Sequence, residues 1–200
     1  MSTNPEHLKS RVCVVDCGSS RIPDLCSILT GLGSRITTVP LERANSHSFQ
    51  DDQGIVISGG PLLFTDEGGK EVLTAKFDFI KAVRLPILGI CLGHQAMGLQ
   101  YGAEIFLGEE RRSVDRIDII TPHPLVDGIE PGMAFAEDHR EGITLPKGFQ
   151  RIGSSGHYNV EIMASRSKPL YGVQFHPEIS GAPGNTIFRN FLDLVRIHAD

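Results

Sequence analysis

From residue 11 to residue 101, short continuous apolar runs alternate with segments in which apolar residues recur every three or four positions. Arg11–Asp16 contains Val12-Cys13-Val14-Val15 and predicts a buried strand. Ile22–Leu32 sets Ile22, Leu25, Ile28, Leu29 and Leu32 on one face, the spacing of a helix, with Gly31 and Gly33 to end it. Arg35–Val39, stopped by Pro40, and Gly54–Ser58 predict two more strands, joined by a polar connection. Lys70–Val83 carries Val72, Leu73, Phe77, Ile80 and Val83 and predicts a second helix. Pro86–Ile90 reads as a strand and Gly93–Tyr101 as a helix. Strands that are apolar throughout and alternate with helices predict an α/β fold with an open, mostly parallel central sheet flanked by helices.

After Gly102 the pattern changes. The segments 104–107, 114–120, 134–136, 149–153 and 160–164 are short, and several alternate in polarity. They predict a smaller region of mixed or antiparallel strands linked by turns such as Pro122-His-Pro124 and Pro146-Lys-Gly148. Tyr171–Phe175 predicts another buried strand. Asn185–His198 is an amphipathic helix with Ile187, Phe188, Phe191, Leu192 and Val195 inward. No internal repeat and no low-complexity segment is seen. Residues 1–10 are polar and read as a flexible tail, leaving residues 11–200 as one domain.

Composition narrows the function classes. A net charge of −5, with no basic run, argues against nucleic-acid binding. No apolar stretch is long enough to span a bilayer, and the N-terminus has no apolar core of a secretory signal. The four cysteines (Cys13, Cys17, Cys26 and Cys91) lack Cys-x-x-Cys spacing and a completing His pair, so they are expected to be reduced thiols in a cytoplasmic protein without a metal site. Asp16-Cys-Gly-Ser-Ser-Arg21 has one glycine where a dinucleotide loop needs three.

Cys91 stands out among the thiols. It joins a predicted strand to a predicted helix, with Gly89 and Gly93 two residues away on either side. That is the pattern of a nucleophile elbow, a turn so tight that its neighbours must be small. The side chain then sits at a helix N-terminus, where the partial positive charge favours a thiolate. A buried structural cysteine between loop glycines is the other reading; the strand–helix context favours the elbow. In an open α/β sheet, chemistry gathers at the carboxyl ends of the strands. Two more predicted strands end in pointed sequences there: Ser58-Gly59-Gly60-Pro61, with glycines that let backbone N–H groups approach a ligand, and His176-Pro177-Glu178. A thiol nucleophile needs a base, and the base needs an orienting group; His176 and Glu178 suit those roles.

Together, Gly89-Ile-Cys91-Leu-Gly93-His-Gln95, Ser58-Gly-Gly60-Pro61 and Gly172-Val-Gln-Phe-His176-Pro-Glu178 resemble the three signature motifs of the class I (triad) glutamine amidotransferases, in that family's order and at about its spacing. The resemblance spans residues 11 to 197. It implies an enzyme that hydrolyses the side-chain amide of L-glutamine through a Cys thioester and passes ammonia to a synthetase. It implies Cys91, His176 and Glu178 as the catalytic triad and the backbone N–H groups of Gly60 and Leu92 as the oxyanion hole. It also implies that Gly59, Gln95, Ser113 and Val114 bind the substrate. The chain has no room for a synthetase domain, so a synthetase subunit in trans is expected.

Within the family the chain looks most like the free-standing glutaminase subunits of GMP synthase, on the strength of Val14-Val-Asp16, Asp138-His139-Arg-Glu141, Ile143–Phe149 and Ile187-Phe-Arg-Asn-Phe191. That resemblance puts ATP and Mg on the partner and no cofactor in this chain. His139 and Glu141 match positions that couple to the synthetase in that branch, although Asp138 and Glu141 replace its Ser and Asp. The loop 179–184 also lacks the branch's usual His-Thr pair. The alternatives are the glutaminase component of anthranilate synthase or of another biosynthetic synthetase, and a stand-alone γ-glutamyl peptidase of the same fold.

Overall fold

Runs of four buried residues, as in Gly54–Ile57 and Ile87–Ile90, are accommodated in a sheet covered on both faces. The computed structural model describes residues 10–199 and places these runs at its centre. In chain order the first half comprises β1 (Arg11–Asp16), α1 (Ile22–Gly31), β2 (Arg35–Pro40), α2 (Leu41–Ala44), β3 (Gly54–Ile57), α3 (Lys70–Ala75), α4 (Phe79–Ala82), β4 (Ile87–Ile90) and α5 (Leu92–Gln100). The second half adds β5 (Ile105–Arg111), β6 (Val114–Arg116), β7 (Asp118–Ile119), β8 (Ala134–Ala136), β9 (His139–Ile143), β10 (Phe149–Ser154), β11 (Ile162–Ser165), β12 (Leu170–Val173) and α6 (Gly181–Ala199).

One eight-stranded sheet runs in the order β2-β1-β3-β4-β12-β11-β10-β7. The five strands from β2 to β12 are parallel, and β11, β10 and β7 continue the sheet antiparallel. Two ribbons, β5–β9 and β6–β8, stand apart from it. The fold is thus the expected mostly parallel α/β sheet with a mixed second half. Along each buried strand, alternate residues supply opposite faces. Val12 and Val14 of β1 pack with α1 and α6, whereas Cys13 and Val15 pack with the side that carries α2 to α5.

Local departures from the expected elements have visible causes. The helix expected over 70–83 is broken into α3 and α4. Asn45 bridges the break: its Nδ2 donates to Ala75 O at 2.8 Å, and its Oδ1 accepts from Phe79 N at 2.9 Å. The strand expected over 114–120 divides between two sheets, with Ile117 fully buried at the crossing. The closing helix begins at Gly181, four residues before the expected start, with Pro183 in its first turn where no N–H partner is needed. β9 was not expected as a strand. The expected tail lies outside the described residues up to residue 9; Ser10 is buried, and its carbonyl accepts from Arg35 N. Among the described residues no helix is long and apolar enough to cross a membrane.

The topology matters for the chemistry because β3, β4 and β12 are neighbours. Register pairs Ile57 with Gly89 and Val173 with Ile90, so all three strands end level at one edge of the sheet.

Candidate active site

The turn after β4 gives Cys91 φ 48° and ψ −104°, and it is the one non-glycine residue at positive φ among those described. Such a conformation costs on the order of 1–3 kcal/mol and persists only where the surroundings enforce it. Here they do. Cys91 N donates to Val173 O at 2.9 Å, tying the elbow to β12, and Gln95 N donates to Cys91 O at 3.0 Å as α5 begins. A Cβ at Gly89 would lie 2.5 Å from Gly93 O, and one at Gly93 would lie 2.6 Å from Ile57 O. The flanking glycines are therefore a steric requirement of the turn.

The loop after β3 is equally tight. Ser58 Oγ accepts from Cys17 N at 3.0 Å and donates to Gly59 O at 2.8 Å, pinning the loop to the exit of β1. A Cβ at Gly60 would collide with Cys17 O at 2.3 Å. A Cβ at Gly59 would lie 2.8 Å from His176 Cε1 and 3.5 Å from Cys91 Cβ, so the space it vacates is the space between the thiol and the imidazole. The amide N–H groups of Gly60 and Leu92 have no acceptor among the described residues.

His176 lies just past β12, held by its backbone. Its N–H donates to Ala136 O at 2.8 Å, and its carbonyl accepts from Ser180 Oγ at 2.7 Å. Pro177 opens the short 3-10 turn Pro177–Ile179 and brings Glu178 back onto the ring. His176 Nδ1 donates to Glu178 Oε1 at 2.7 Å, which leaves Nε2 free for chemistry. Cys91, His176 and Glu178 are each at most 7% exposed. Burial opposes a charge on His176, but hydrogen bonding to Cys91 and Glu178 outweighs it and raises the imidazole to about 11. A charged imidazole beside a thiol is the arrangement that activates sulfur nucleophiles. The other buried thiols are different: burial pushes Cys13, inside β1, up to about 11 and Cys17, just past it, up to about 12. All four cysteines are free thiols.

A cleft of about 600 Å³ opens on this edge, lined by Gly60, Pro61, Arg112, His139 and His176 among others. Gln95 is buried one turn after the elbow, and its Nε2 donates to Glu141 O at 3.1 Å and to Gln174 Oε1 at 3.3 Å. Ser113 and Val114 are exposed on the β6 side and are not among the residues lining the cleft. Ser113 Oγ instead meets Arg111 Nη2 at 3.2 Å. His139 does line the cleft. Glu141 is 1% exposed, and its carboxylate accepts from Phe64 N at 3.2 Å and Thr65 N at 2.7 Å. It faces the loop that follows Gly60.

The sequence pattern did not single out Glu137 or Glu161, buried beside His139, or Gln174, buried against Gln95. One signal was available: Glu161 stands two residues before Met163 in an otherwise apolar run, where an unpaired buried charge is costly.

A thiol on a strained elbow, an imidazole across from it and a carboxylate behind that imidazole define a cysteine-nucleophile hydrolytic site on an α/β sheet. The family model of class-I glutamine amidotransferases matches residues 13–195. The glutamine-hydrolysing GMP synthase subunit of Methanothermobacter thermautotrophicus is 34% identical over 162 residues, covering 80% of this chain and 82% of that one. Its namesake from Thermococcus kodakarensis is 32% identical over 190 residues, covering 92% and 97%. Among solved structures, a Thermoplasma acidophilum protein described as a candidate GMP synthase subunit superposes with a TM-score of 0.86 at 26% identity, covering 96% of this chain and 97% of that one. A Thermotoga maritima glutamine amidotransferase shares the fold, with a TM-score of 0.80 at 16% identity over 94% and 99% of the two chains. The chain belongs to the class-I glutamine amidotransferases. It is a glutamine-hydrolysing enzyme.

Proposed function

We propose that this chain is the glutaminase subunit of a two-subunit GMP synthase, which supplies ammonia to a separate synthetase that converts XMP to GMP. The observation that carries the chemistry is the joining of Cys91, His176 and Glu178 at the level ends of β4 and β12. The pathway rests on the likeness to the glutamine-hydrolysing GMP synthase subunits, which extends over most of both chains. ATP and Mg belong to the synthetase in this reading, and this chain supplies no cofactor to the hydrolysis.

The Cys91 thiolate attacks the side-chain amide carbon of glutamine, and the carbonyl oxygen becomes an oxyanion. The free N–H groups of Gly60 and Leu92 receive it; such preorganised donors are worth about 10²–10³ in rate each. His176 Nε2 gives its proton to the departing nitrogen, the C–N bond breaks, and ammonia leaves behind a thioester on Cys91. A water then attacks the thioester, His176 takes its proton, and glutamate departs as the thiolate is restored. Glu178 holds the ring orientation throughout and stabilises its charged form. Gly59 leaves the space in which the amide lies between thiol and imidazole. Gln95 frames the substrate pocket from α5.

The test is reconstitution with the synthetase subunit of a GMP synthase, ATP, Mg²⁺ and XMP. Glutamine should support GMP formation with the native chain and not with Cys91→Ala, while added ammonium should support it with both. GMP formation that fails with glutamine although the chain hydrolyses glutamine would overturn the pathway. Glutamine hydrolysis at the native rate by Cys91→Ala would overturn the mechanism.

A further inference from the structure

Beneath the cleft, beside the backbone that holds His176, three buried groups converge that the hydrolysis does not use. Glu137, His139 and Glu161 each direct a donor atom to within 4.8 Å of the others, and all three are buried. They come from separate places: the residue after β8, the start of β9, and the residue before β11.

The hydrogen bonding of this cluster leaves it incomplete. His139 Nδ1 lies 3.0 Å from Glu141 O, a carbonyl that can only accept, so Nδ1 carries the proton. In the neutral ring, Nε2 then presents a lone pair, and it points at Glu137 Oε2 from 2.8 Å. Glu161 Oε1 accepts from Ser155 Oγ at 2.6 Å. The remaining oxygens, Glu137 Oε1 and Glu161 Oε2, are buried and have no partner. Protonating either carboxyl does not cure this. A proton on Glu137 satisfies the imidazole lone pair and still leaves Oε1 bare. Glu161 Oε2 lacks an acceptor if protonated and a donor if not. Among the described residues, no lysine or arginine forms an ion pair with either carboxyl. With both carboxyls ionised, the site holds two negative charges and one imidazole lone pair, a deficit that one divalent cation would close.

We infer that Glu137, His139 and Glu161 form a buried binding site for one divalent transition-metal cation, with a two-carboxylate, one-imidazole donor set. Mixed oxygen and nitrogen donors without sulfur suit Mn²⁺, Fe²⁺ or Zn²⁺. The imidazole is prepared as metal-binding histidines commonly are, with its other nitrogen donating to a backbone carbonyl. Two donors 2.8 Å apart, each about 2.1 Å from an ion, subtend roughly 85°, as neighbouring ligands of one cation do. The ion displaces any proton on the two carboxyls and takes Glu137 Oε2 and an oxygen of Glu161 as ligands beside His139 Nε2. Its role is structural. Ala136 O, the residue next to Glu137, receives the His176 N–H, and Gln174 N donates to Glu161 O, so the ion would clamp the segments on either side of the catalytic histidine.

The experiment uses the full chain, stripped with chelator and re-equilibrated with Mn²⁺, Zn²⁺ or Co²⁺ one at a time. Elemental analysis and calorimetry should show about one equivalent bound, with release of protons. In Glu161→Gln the affinity should fall by about 100-fold or more, and Glu137→Gln should do the same. Cys91→Ser should bind as the native chain does. The Co²⁺ adduct should lack a thiolate-to-metal charge-transfer band, since neither Cys91 nor Cys13 is a ligand. Retention of the ion in both Gln variants would overturn the site, as would its loss in Cys91→Ser. So would a chelator-stripped native chain that takes up no metal; protonation alone would then hold the two carboxyls neutral.

Discussion

The elbow at Cys91, whose partner His176 lines the cleft, and the ribbon at His139, which lines it too, hold their polar groups by different means. At the elbow, backbone does the holding. Gly89, Gly93 and Gly60 bring main chains into contact, and the three reacting groups are fixed by strand ends in register. At the ribbon, side chains do it. His139 reaches the Glu141 carbonyl, Glu141 reaches two amides of the loop after Gly60, and Gln95 links α5 to both Glu141 and Gln174. Even the packing of the ribbon is set by a side chain: the Tyr158 ring lies over Gly108 and Gly142, where a Cβ would come within 2.5 Å of it. A site held by backbone should lose chemistry when a functional side chain is changed and keep its shape. A region held by side chains should lose shape when one polar partner is changed.

Glu178→Gln tests the first half of that contrast. The amide can still accept from His176 Nδ1 but carries no charge to stabilise the imidazolium. Glutamine turnover should fall by about 10²–10⁴-fold, the usual range for a disabled acid–base group. The backbone clamp on His176 through Ala136 O and Ser180 Oγ does not involve the carboxylate, so thermal stability should change little. A variant that unfolds in place of merely slowing would show that the elbow too depends on its side chains.

Glu141→Gln tests the second half. The native carboxylate accepts from Phe64 N and Thr65 N. Glutamine can offer only one oxygen and sets an N–H₂ against the other amide. Leaving a buried donor unpaired costs about 1–3 kcal/mol, which denaturant melts should register. Because the freed amides belong to the loop after Gly60, the variant should also raise KM for glutamine more than it lowers kcat. Unchanged stability would mean that the ribbon is not anchored through Glu141.

The same contrast explains which parts of the molecule were legible in the sequence. The apolar runs of β1, β3, β4 and β12 announce a covered parallel sheet because such a sheet buries four consecutive residues on both faces. Gly89-Ile-Cys91-Leu-Gly93 announces the elbow because the steric conflict is local and only glycine relieves it. β9 went unread. His139 and Glu141 point inward and Arg140 outward, so its inward face is polar and imitates a loop. The break between α3 and α4 went unread because Asn45, which makes it, lies 30 residues from Ala75 and 34 from Phe79. Glu137 and Glu161 were likewise invisible as a pair, since only the folded second half brings them together. Backbone-encoded features leave local patterns, whereas side-chain networks are written across distant segments.

His94 offers a finer test, since it belongs to the elbow's helix yet behaves as a buried polar group. It is fully buried in α5, against Gly172 of β12. Burial, with the neighbouring His139, lowers its pKa from 6.5 to about 3. The sign of the linkage follows from proton counting. Between about pH 6.5 and about pH 3 the unfolded chain carries a proton on this residue and the folded chain does not. Stability therefore rises with pH across that window and falls on acidification, with a slope of at most about 1.4 kcal/mol per pH unit from this one group. His94→Leu removes the titration and keeps the site filled with apolar volume. The acid limb of its stability curve, measured by urea melts from about pH 6.5 down to about pH 4, should be shallower than the native limb by up to that slope, because the carboxylates that contribute to acid unfolding are common to both proteins. A change in absolute stability in either direction has no bearing on the outcome, since the readout is the difference in slope. Parallel acid limbs would show that His94 is charged in the folded protein, and the elbow helix would then need a buried counter-charge.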